Sequence, residues 1–271
     1  MASRMKHYNL ALFGFGNVGQ ALGSLLLRKQ PEIQSRYQLT YRLTGVATGR
    51  HGAAIDPQGL DLAQALDIVG AGSSLDQLSS APDSIQQGST SLNDFIPSCG
   101  ADLLFECTPV NYIDGQPAVD YLRMALERGM HVVSANKGPV VHAYRELTAL
   151  ARSRGVHYYF ESAVMDGAPI FSLFRETLPA AALYGFHGIL NSTTNLILTR
   201  METGESFADA VRYAQSIGIA ETDPSGDVDG WDAAVKVAAL TTVLMGVPLK
   251  PQQVDRTGIR AIDSQDRKSV V

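Results

Sequence analysis

The chain has 271 residues, 45% of them hydrophobic, and a formal net charge of -5. That suffices for a real core and for one large or two ordinary domains. The acidic balance, with no long basic run, argues against nucleic acid as a partner. No apolar run reaches the ~18 residues of a membrane span. The cysteines, Cys99 and Cys107, lack metal or redox spacing and read as reduced residues of a cytoplasmic protein. Basic residues within Met1–Lys6 precede an apolar stretch, but nothing there resembles a signal cleavage site.

Residues 8–13 (YNLALF) read as a short buried strand. Gly14, Phe15, Gly16, Asn17, Val18 and Gly19 follow as a G-x-G-x-x-G run. Then Val18, Ala21, Leu22, Leu25 and Leu26 recur with helical period and predict one buried helix face. Strand, glycine turn and helix is the setting in which this run binds a dinucleotide. Gly14 permits the tight turn, Gly16 lets amides approach a pyrophosphate, and Gly19 lets helix and strand pack closely. The same run also suits a turn that binds nothing.

The second strand, residues 39–48, ends where an NAD site places an acid for the ribose hydroxyl. Between Glu32 and Asp56 there is no acid; Thr48, Arg50 and His51 follow instead. That cluster leans toward NADP, with NAD as the alternative and Arg50 as a plain loop residue the simpler one.

Further along, residues 59–68 read as a helix and residues 70–91 as a loop with a short helix. Strands are predicted at 102–106, 131–134 and 156–161, and helices at 117–128 and 140–154. Gly129 and Gly155 stop those helices. Alternating strands and helices call for a parallel sheet, whose ligands bind beyond the C-terminal strand ends. The glycine run, Thr108, Lys137 and Glu161 lie at such ends.

After Gly167 a helix through Phe174 and a strand over 182–190 are expected. Asn191, Thr193 and Asn195 form a polar cluster at a helix entry, where such residues also serve as caps. Ser206 with Asp209 reads as a helix start. The segment 218–240 then gathers Glu221, Asp223, Asp227, Asp229, Asp232 and Lys236. Asp232 and Lys236 share a helix face. A lysine at the mouth of an apolar helix, beside a carboxylate, suits proton exchange; an ordinary i,i+4 salt bridge is the simpler reading.

These segments together resemble homoserine dehydrogenase: GFGNVG, SANKGP at 134–139, FESAVMDGAPI at 160–170, GILNSTTN at 188–195 and AETDPSGDVDGWDAAVK at 220–236. The resemblance implies an α/β chain with a Rossmann-type parallel-sheet nucleotide-binding domain over 1–160. A second, α+β substrate and dimerisation domain then covers 161–271. It implies NAD(P)-dependent interconversion of L-homoserine and aspartate 4-semialdehyde, on the route to threonine, methionine and isoleucine. Lys236 resembles the acid/base residue, Asp232 its orienting partner and Lys137 the lysine reaching the nicotinamide end. Glu221 matches the acid that holds the substrate ammonium, with which Asp227 could pair instead; Asn191 and Thr193 are further substrate-binding candidates. Thr108 and the glycine run would touch the cofactor. Backbone carbonyls of Glu161, Val164, Asp166 and Ala168 would hold a sodium ion. A homodimer is the expected assembly.

Family members continue past the position of Asp263. The resemblance therefore implies a substrate domain incomplete at its C-terminal end, with apolar surface exposed where the remainder would pack. Two competing readings are a shortened, non-catalytic dinucleotide binder and a same-fold oxidoreductase for another small aldehyde or alcohol.

Overall fold

A computed structural model describes residues 5–78, 92–165 and 167–262. They form two compact units, Met1–Asn111 with Gly115–Ala163, and Tyr112–Asp114 with Val164–Val271. The first unit holds strands β1 (Lys6–Phe13), β2 (Leu39–Thr48), β3 (Gly52–Leu60), β4 (Leu103–Glu106), β5 (His131–Ser134) and β6 (Tyr158–Tyr159). Its helices are α1 (Asn17–Tyr37), α2 (Leu62–Gly70), α3 (Leu92–Ser98), α4 (Ala118–Glu127) and α5 (Lys137–Arg154).

The six strands make one sheet in the order β3-β2-β1-β4-β5-β6. All neighbours are parallel except the β2–β3 pair. The last four residues of β1 are all buried, as in a strand covered on both faces. On one face Leu12, Phe15, Val46, Leu62, Ala65 and Leu75 form a core against which Leu22, Leu26 and Leu27 pack. On the other, Phe13 meets Phe95 and Tyr121 with ring centroids 5.4 and 4.7 Å apart.

The sequence reading missed β3. Asp56 and Pro57 interrupt its apolar pattern, and Pro cannot donate to a ladder, which confines it to an edge such as this one. Helix α2 starts later than expected, at Leu62, because Asp61 caps it by accepting from the Ala63 and Gln64 amides. Helix α5 starts earlier, at Lys137, because Asn136 accepts from the Gly138 amide and Pro139 fits a first turn. It breaks its helical geometry at Ala143 (φ -138°). Strand β6 is shorter than the predicted 156–161.

The expected buried face of α1 is turned by one position. Val18 is 54% and Leu25 41% exposed, while Gly19 and Gly23 are buried. The real stripe is Gly19, Leu22, Gly23, Leu26, Leu27. A methyl on Gly23 would lie 3.2 Å from Leu62, and one on Gly19 2.8 Å from the Gly14 carbonyl oxygen. Glycine carries no hydrophobic signal, yet only glycine lets the helix come this close.

The second unit holds α6 (Ile170–Ser172), α7 (Ser192–Glu202), α8 (Phe207–Ser216), α9 (Ser225–Val228) and α10 (Trp231–Leu244). A π-turn, Leu173–Thr177, continues α6. Ile197, Met201, Ala210, Ala214, Ala220, Val228 and Ile259 form its core. The strand expected over 182–190 does not form among the described residues. No partner strand meets it there, and Tyr184 and Ile189 stand 93% and 73% exposed. A lone extended segment has no ladder to satisfy its backbone, so propensity alone does not make it a strand.

Gly14 has φ +91°, and a methyl there would sit 2.5 Å from the Cys107 carbonyl carbon and 2.6 Å from the Thr108 nitrogen. Gly14→Ala is therefore expected to cost about 2 kcal/mol or more in urea denaturation. Gly16 has open space around the same position, so Gly16→Ala should stay within about 1 kcal/mol of the parent. Equal losses in the two variants would refute this account of the turn.

Candidate functional site

In the first unit the turn after β1 is built from the backbone. The Gly14 and Phe15 amides both donate to the Ala47 carbonyl at 2.9 Å, and the Gly16 amide donates to Gly14 at 2.8 Å. Phe15 is 0% exposed, its ring in the core beneath the loop. No side chain caps the N-terminus of α1. Its first-turn amides, at Asn17, Val18 and Gly19, precede the first intrahelical bond, from Gln20 to Gly16. Uncapped amides, the positive dipole end and open space at Gly16 fit an anionic pyrophosphate. At the end of β2, the Thr48 hydroxyl accepts from the Arg50 amide at 3.1 Å, and Arg50 is exposed.

The ends of β4 and β5 are tied by a buried polar knot. Glu106, 0% exposed, accepts from the Thr108 amide at 2.8 Å, from the Thr108 hydroxyl, and from the Ser134 hydroxyl at 2.6 Å. Asn136 reaches the same carboxylate at 3.4 Å and donates to the Thr108 and Pro109 carbonyls at 3.2 and 3.3 Å. The Oδ1 atom of Asn136 caps α5 through the Gly138 amide at 2.9 Å. Lys137, the first residue of that helix, is thereby held at the strand end. Burial pushes the Glu106 carboxyl above the usual carboxylate range, against the pull of these donors. Burial, helped by the Glu106 charge, pushes the Cys107 thiol up to about 12, so it stays a thiol. The Tyr158 hydroxyl, raised by burial and then by Glu106, is buried without a partner among the described residues.

In the second unit the acidic segment closes on α10. Lys236 pairs with Asp232 at 2.7 Å and donates to the Leu190 carbonyl at 2.7 Å. Their side chains are only 16% and 11% exposed. Asn191 Nδ2 donates to Asp227 at 2.7 Å and to Asp232 at 2.9 Å, while its Oδ1 accepts from the Thr194 amide and caps α7. Thr193 is buried, with its hydroxyl 3.4 Å from the Ile219 carbonyl. Glu221 is exposed, and its carbonyl, like that of Thr222, accepts from Gln215 at 3.1 and 3.0 Å. Gly230, φ +79°, turns the chain into α10, and the Arg256 guanidinium lies 3.7 Å over the Trp231 ring. The Arg260 guanidinium holds the Asp229 carboxyl below its usual range.

Asn191, Asp227, Asp232 and Lys236 thus form one connected polar chain. Of the expected sodium carbonyls, that of Ala168 accepts the Ile170 amide at 2.8 Å, Glu161 opens a 3-10 turn, and Asp166 lies outside the described residues. Three side chains of the polar clusters escaped the sequence reading. Glu106 looked like the last residue of a buried strand, and Ser134 like another. Tyr112 looked like loop. It belongs to the second unit, where the Gln252 amide donates to its carbonyl at 3.2 Å. Burial, then the charges of Asp232, Asp227 and Glu221, push its hydroxyl up to about 12.

The raised Glu106 carboxyl has a consequence for stability. In the unfolded chain it titrates near ~4.3, so between that value and its higher folded value the native state holds the extra proton. Its contribution is fully present below the unfolded value and is lost as pH rises through the folded one. Denaturant titrations of the parent and of Glu106→Gln across acid to neutral pH should diverge. The parent loses this increment of stability with rising pH, whereas the glutamine variant does not. Parallel curves for the two proteins would contradict the assignment.

Known proteins resemble this chain along most of its length. A model of the homoserine dehydrogenase NAD binding domain matches residues 14–161, and one of homoserine dehydrogenase matches residues 169–271. The NAD(+)-dependent homoserine dehydrogenase of Pseudomonas canavaninivorans is 38% identical over 263 residues, 97% of this chain and 73% of that protein. The homoserine dehydrogenase of Methanocaldococcus jannaschii is 34% identical over 255 residues, 94% of this chain and 74% of that one. Among solved structures, a hyperthermophilic archaeal homoserine dehydrogenase mutant in complex with NADPH matches with TM-score 0.79 at 30% identity. That match covers 96% of this chain and 76% of the other. Homoserine dehydrogenase from Thermoplasma acidophilum matches with TM-score 0.76 at 28% identity, covering 95% and 75%. The glycine turn at the head of a sheet ordered 3-2-1-4-5-6, the polar chain ending in Lys236 and relatives matched along nearly all of the chain place it in the homoserine dehydrogenase family.

Proposed function

We propose that this NAD(P)-dependent oxidoreductase interconverts L-homoserine and aspartate 4-semialdehyde, with residues 1–160 binding the dinucleotide and residues 161–271 the amino acid. The observation that carries the reading is the chain of bonds Asp227–Asn191–Asp232–Lys236. It supplies a half-buried ammonium held in one place by a carboxylate and a carbonyl, which is what proton exchange with an alcohol or aldehyde oxygen requires.

The nicotinamide supplies or takes the hydride, and the protein supplies position and protons. In the reducing direction the Lys236 ammonium gives a proton to the aldehyde oxygen as it becomes a hydroxyl. Asp232 keeps that ammonium aimed, and Lys137 is assigned to the nicotinamide end of the cofactor. Glu221 and Asp227 take the substrate ammonium, with Asn191 and Thr193 shaping their side of the site. The amides of Asn17, Val18 and Gly19 would hold the pyrophosphate, with Gly14, Phe15 and Gly16 forming the turn beneath and Thr108 at the nicotinamide end.

NADP is the preferred cofactor in this reading, because Thr48, Arg50 and His51, with no acid, follow β2. The relative from Pseudomonas canavaninivorans is named for NAD(+), so the preference rests on Arg50. Sodium at the carbonyls of Glu161, Val164, Asp166 and Ala168 is part of the proposal, but no step depends on it. A homodimer working in the cytoplasm completes the reading. No described helix is long and apolar enough to cross a membrane.

The test is NADPH absorbance with aspartate 4-semialdehyde. Cofactor binding without oxidation would leave a non-catalytic binder, and turnover of other aldehydes alone would change the substrate. Lys236→Ala is expected to lose about 10²–10⁴-fold in kcat with NADPH binding nearly unchanged. A collapse of binding instead makes Lys236 structural. Arg50→Ala should raise KM for NADPH severalfold and leave KM for NADH alone; an equal change in both removes the basis for preferring NADP.

A further inference from the structure

We propose that Glu106 is a positioning residue for hydride transfer, one carboxylate that sets both the Thr108 loop and the start of the Lys137 helix. This rests on the reading that Thr108 and Lys137 meet the nicotinamide end of the cofactor. Glu106 itself is 0% exposed and cannot touch a ligand. Its influence runs through named bonds. One oxygen takes the Thr108 amide, at 2.8 Å, and the Thr108 hydroxyl. The other takes the Ser134 hydroxyl at 2.6 Å, and that hydroxyl in turn accepts the Asn136 amide at 3.0 Å. Asn136 closes the circuit, donating to the Thr108 and Pro109 carbonyls and capping the helix that begins with Lys137.

The loop after β4 is therefore gripped from three sides. Gly14 lies against the Cys107–Thr108 peptide so closely that a methyl would meet it at 2.5 Å. Asn136 holds its carbonyls, and Glu106 holds its amide and hydroxyl. Remove the shared acceptor and Thr108 and Ser134 lose their common anchor, while the glycine contact stays. The first turn of α5 then shifts relative to the glycine turn. Displacement of reacting groups by about 1 Å costs on the order of a hundredfold in rate, which is the scale on which such a residue matters.

Glu106→Gln is the informative variant. It keeps the size and one acceptor, but places an amide NH2 donor where the Ser134 hydroxyl needs an oxygen to accept its proton. Three quantities are measured: kcat with aspartate 4-semialdehyde, the NADPH dissociation constant by fluorescence titration, and the thermal midpoint. The expected result is a loss on the order of tenfold to a hundredfold in kcat, with the dissociation constant moved less than about threefold and a midpoint that, although lowered, stays above the assay temperature. Placed in a Thr108→Ala, Lys137→Ala background, the same substitution should cost less than about twofold, because both of its routes of action are gone. Ser134→Ala, which removes one donor only, should show the same pattern at smaller size, and serves if the glutamine variant fails to fold.

Parent-like kcat in Glu106→Gln, or in Ser134→Ala if it stands in, overturns the proposal. So does an equal loss in both backgrounds, which would mark a general structural effect. If Thr108→Ala and Lys137→Ala themselves bind NADPH and turn over like the parent, the cofactor reading fails and takes this proposal with it. If those two are impaired while Glu106→Gln is not, only the role of Glu106 falls.

Discussion

A carboxylate fully removed from water is expensive unless donors surround it, and Glu106 is surrounded. Its four hydrogen-bond partners come from only three residues, Thr108, Ser134 and Asn136, which belong to the ends of two neighbouring strands. In a low-dielectric interior such a network is rigid when complete and costly when a member is lost. The geometry of the strand ends, where a parallel sheet places its ligands, therefore depends on this one group. The close approach of Gly14 to Cys107–Thr108 continues the same arrangement to the glycine turn. So backbone positions on β1, β4 and β5 are fixed together, by two contacts that admit little adjustment.

The second unit solves a similar problem differently. There Asp232 and Lys236 form a nearly buried ion pair, and a single neutral amide links Asp232 to Asp227. Asn191 caps α7 with its oxygen and bridges two carboxylates with its nitrogen. The cap and the bridge are not competing explanations of that residue; one side chain does both, because an amide has a separate donor and acceptor. The entry to α10 is set by Gly230, whose positive φ only glycine adopts without strain, and by Arg256 and Arg260, which fasten the residues around Asp229. Lys236 thus projects from a helix whose start is fixed and whose inner face, Val235, Ala238 and Ala239, is buried.

Much of this was legible. The strand–glycine–helix start, the strands expected at 102–106 and 131–134 and a helix starting near Gly230 or Trp231 follow from periodicity and punctuation, which are local signals. The pairing of Asp232 with Lys236 follows from their spacing. What was not legible has a common cause. Strand β3 and the unpaired segment 182–190 depend on whether a neighbour exists, and a sequence window holds no neighbour. The face of α1 was misplaced because glycine, the residue in closest contact, is invisible to a count of apolar side chains. Glu106 was read as the end of a buried strand, since nothing near it in sequence announces the Ser134 hydroxyl 28 residues on.

The sequence by itself determined the kind of chemistry: a turn shaped for phosphates, an acid-rich segment ending in a lysine, and the family to which both belong. Short-range patterns carry that information because turns, caps and helix faces are decided by residues within a few positions of one another. Only the tertiary structure decided which polar groups share bonds. Glu106 with Ser134 and Asn191 with Asp232 are pairings across long stretches of chain. They exist because the sheet and helices bring strand ends and helix starts together, and because a buried polar group must find its partner wherever the fold supplies one.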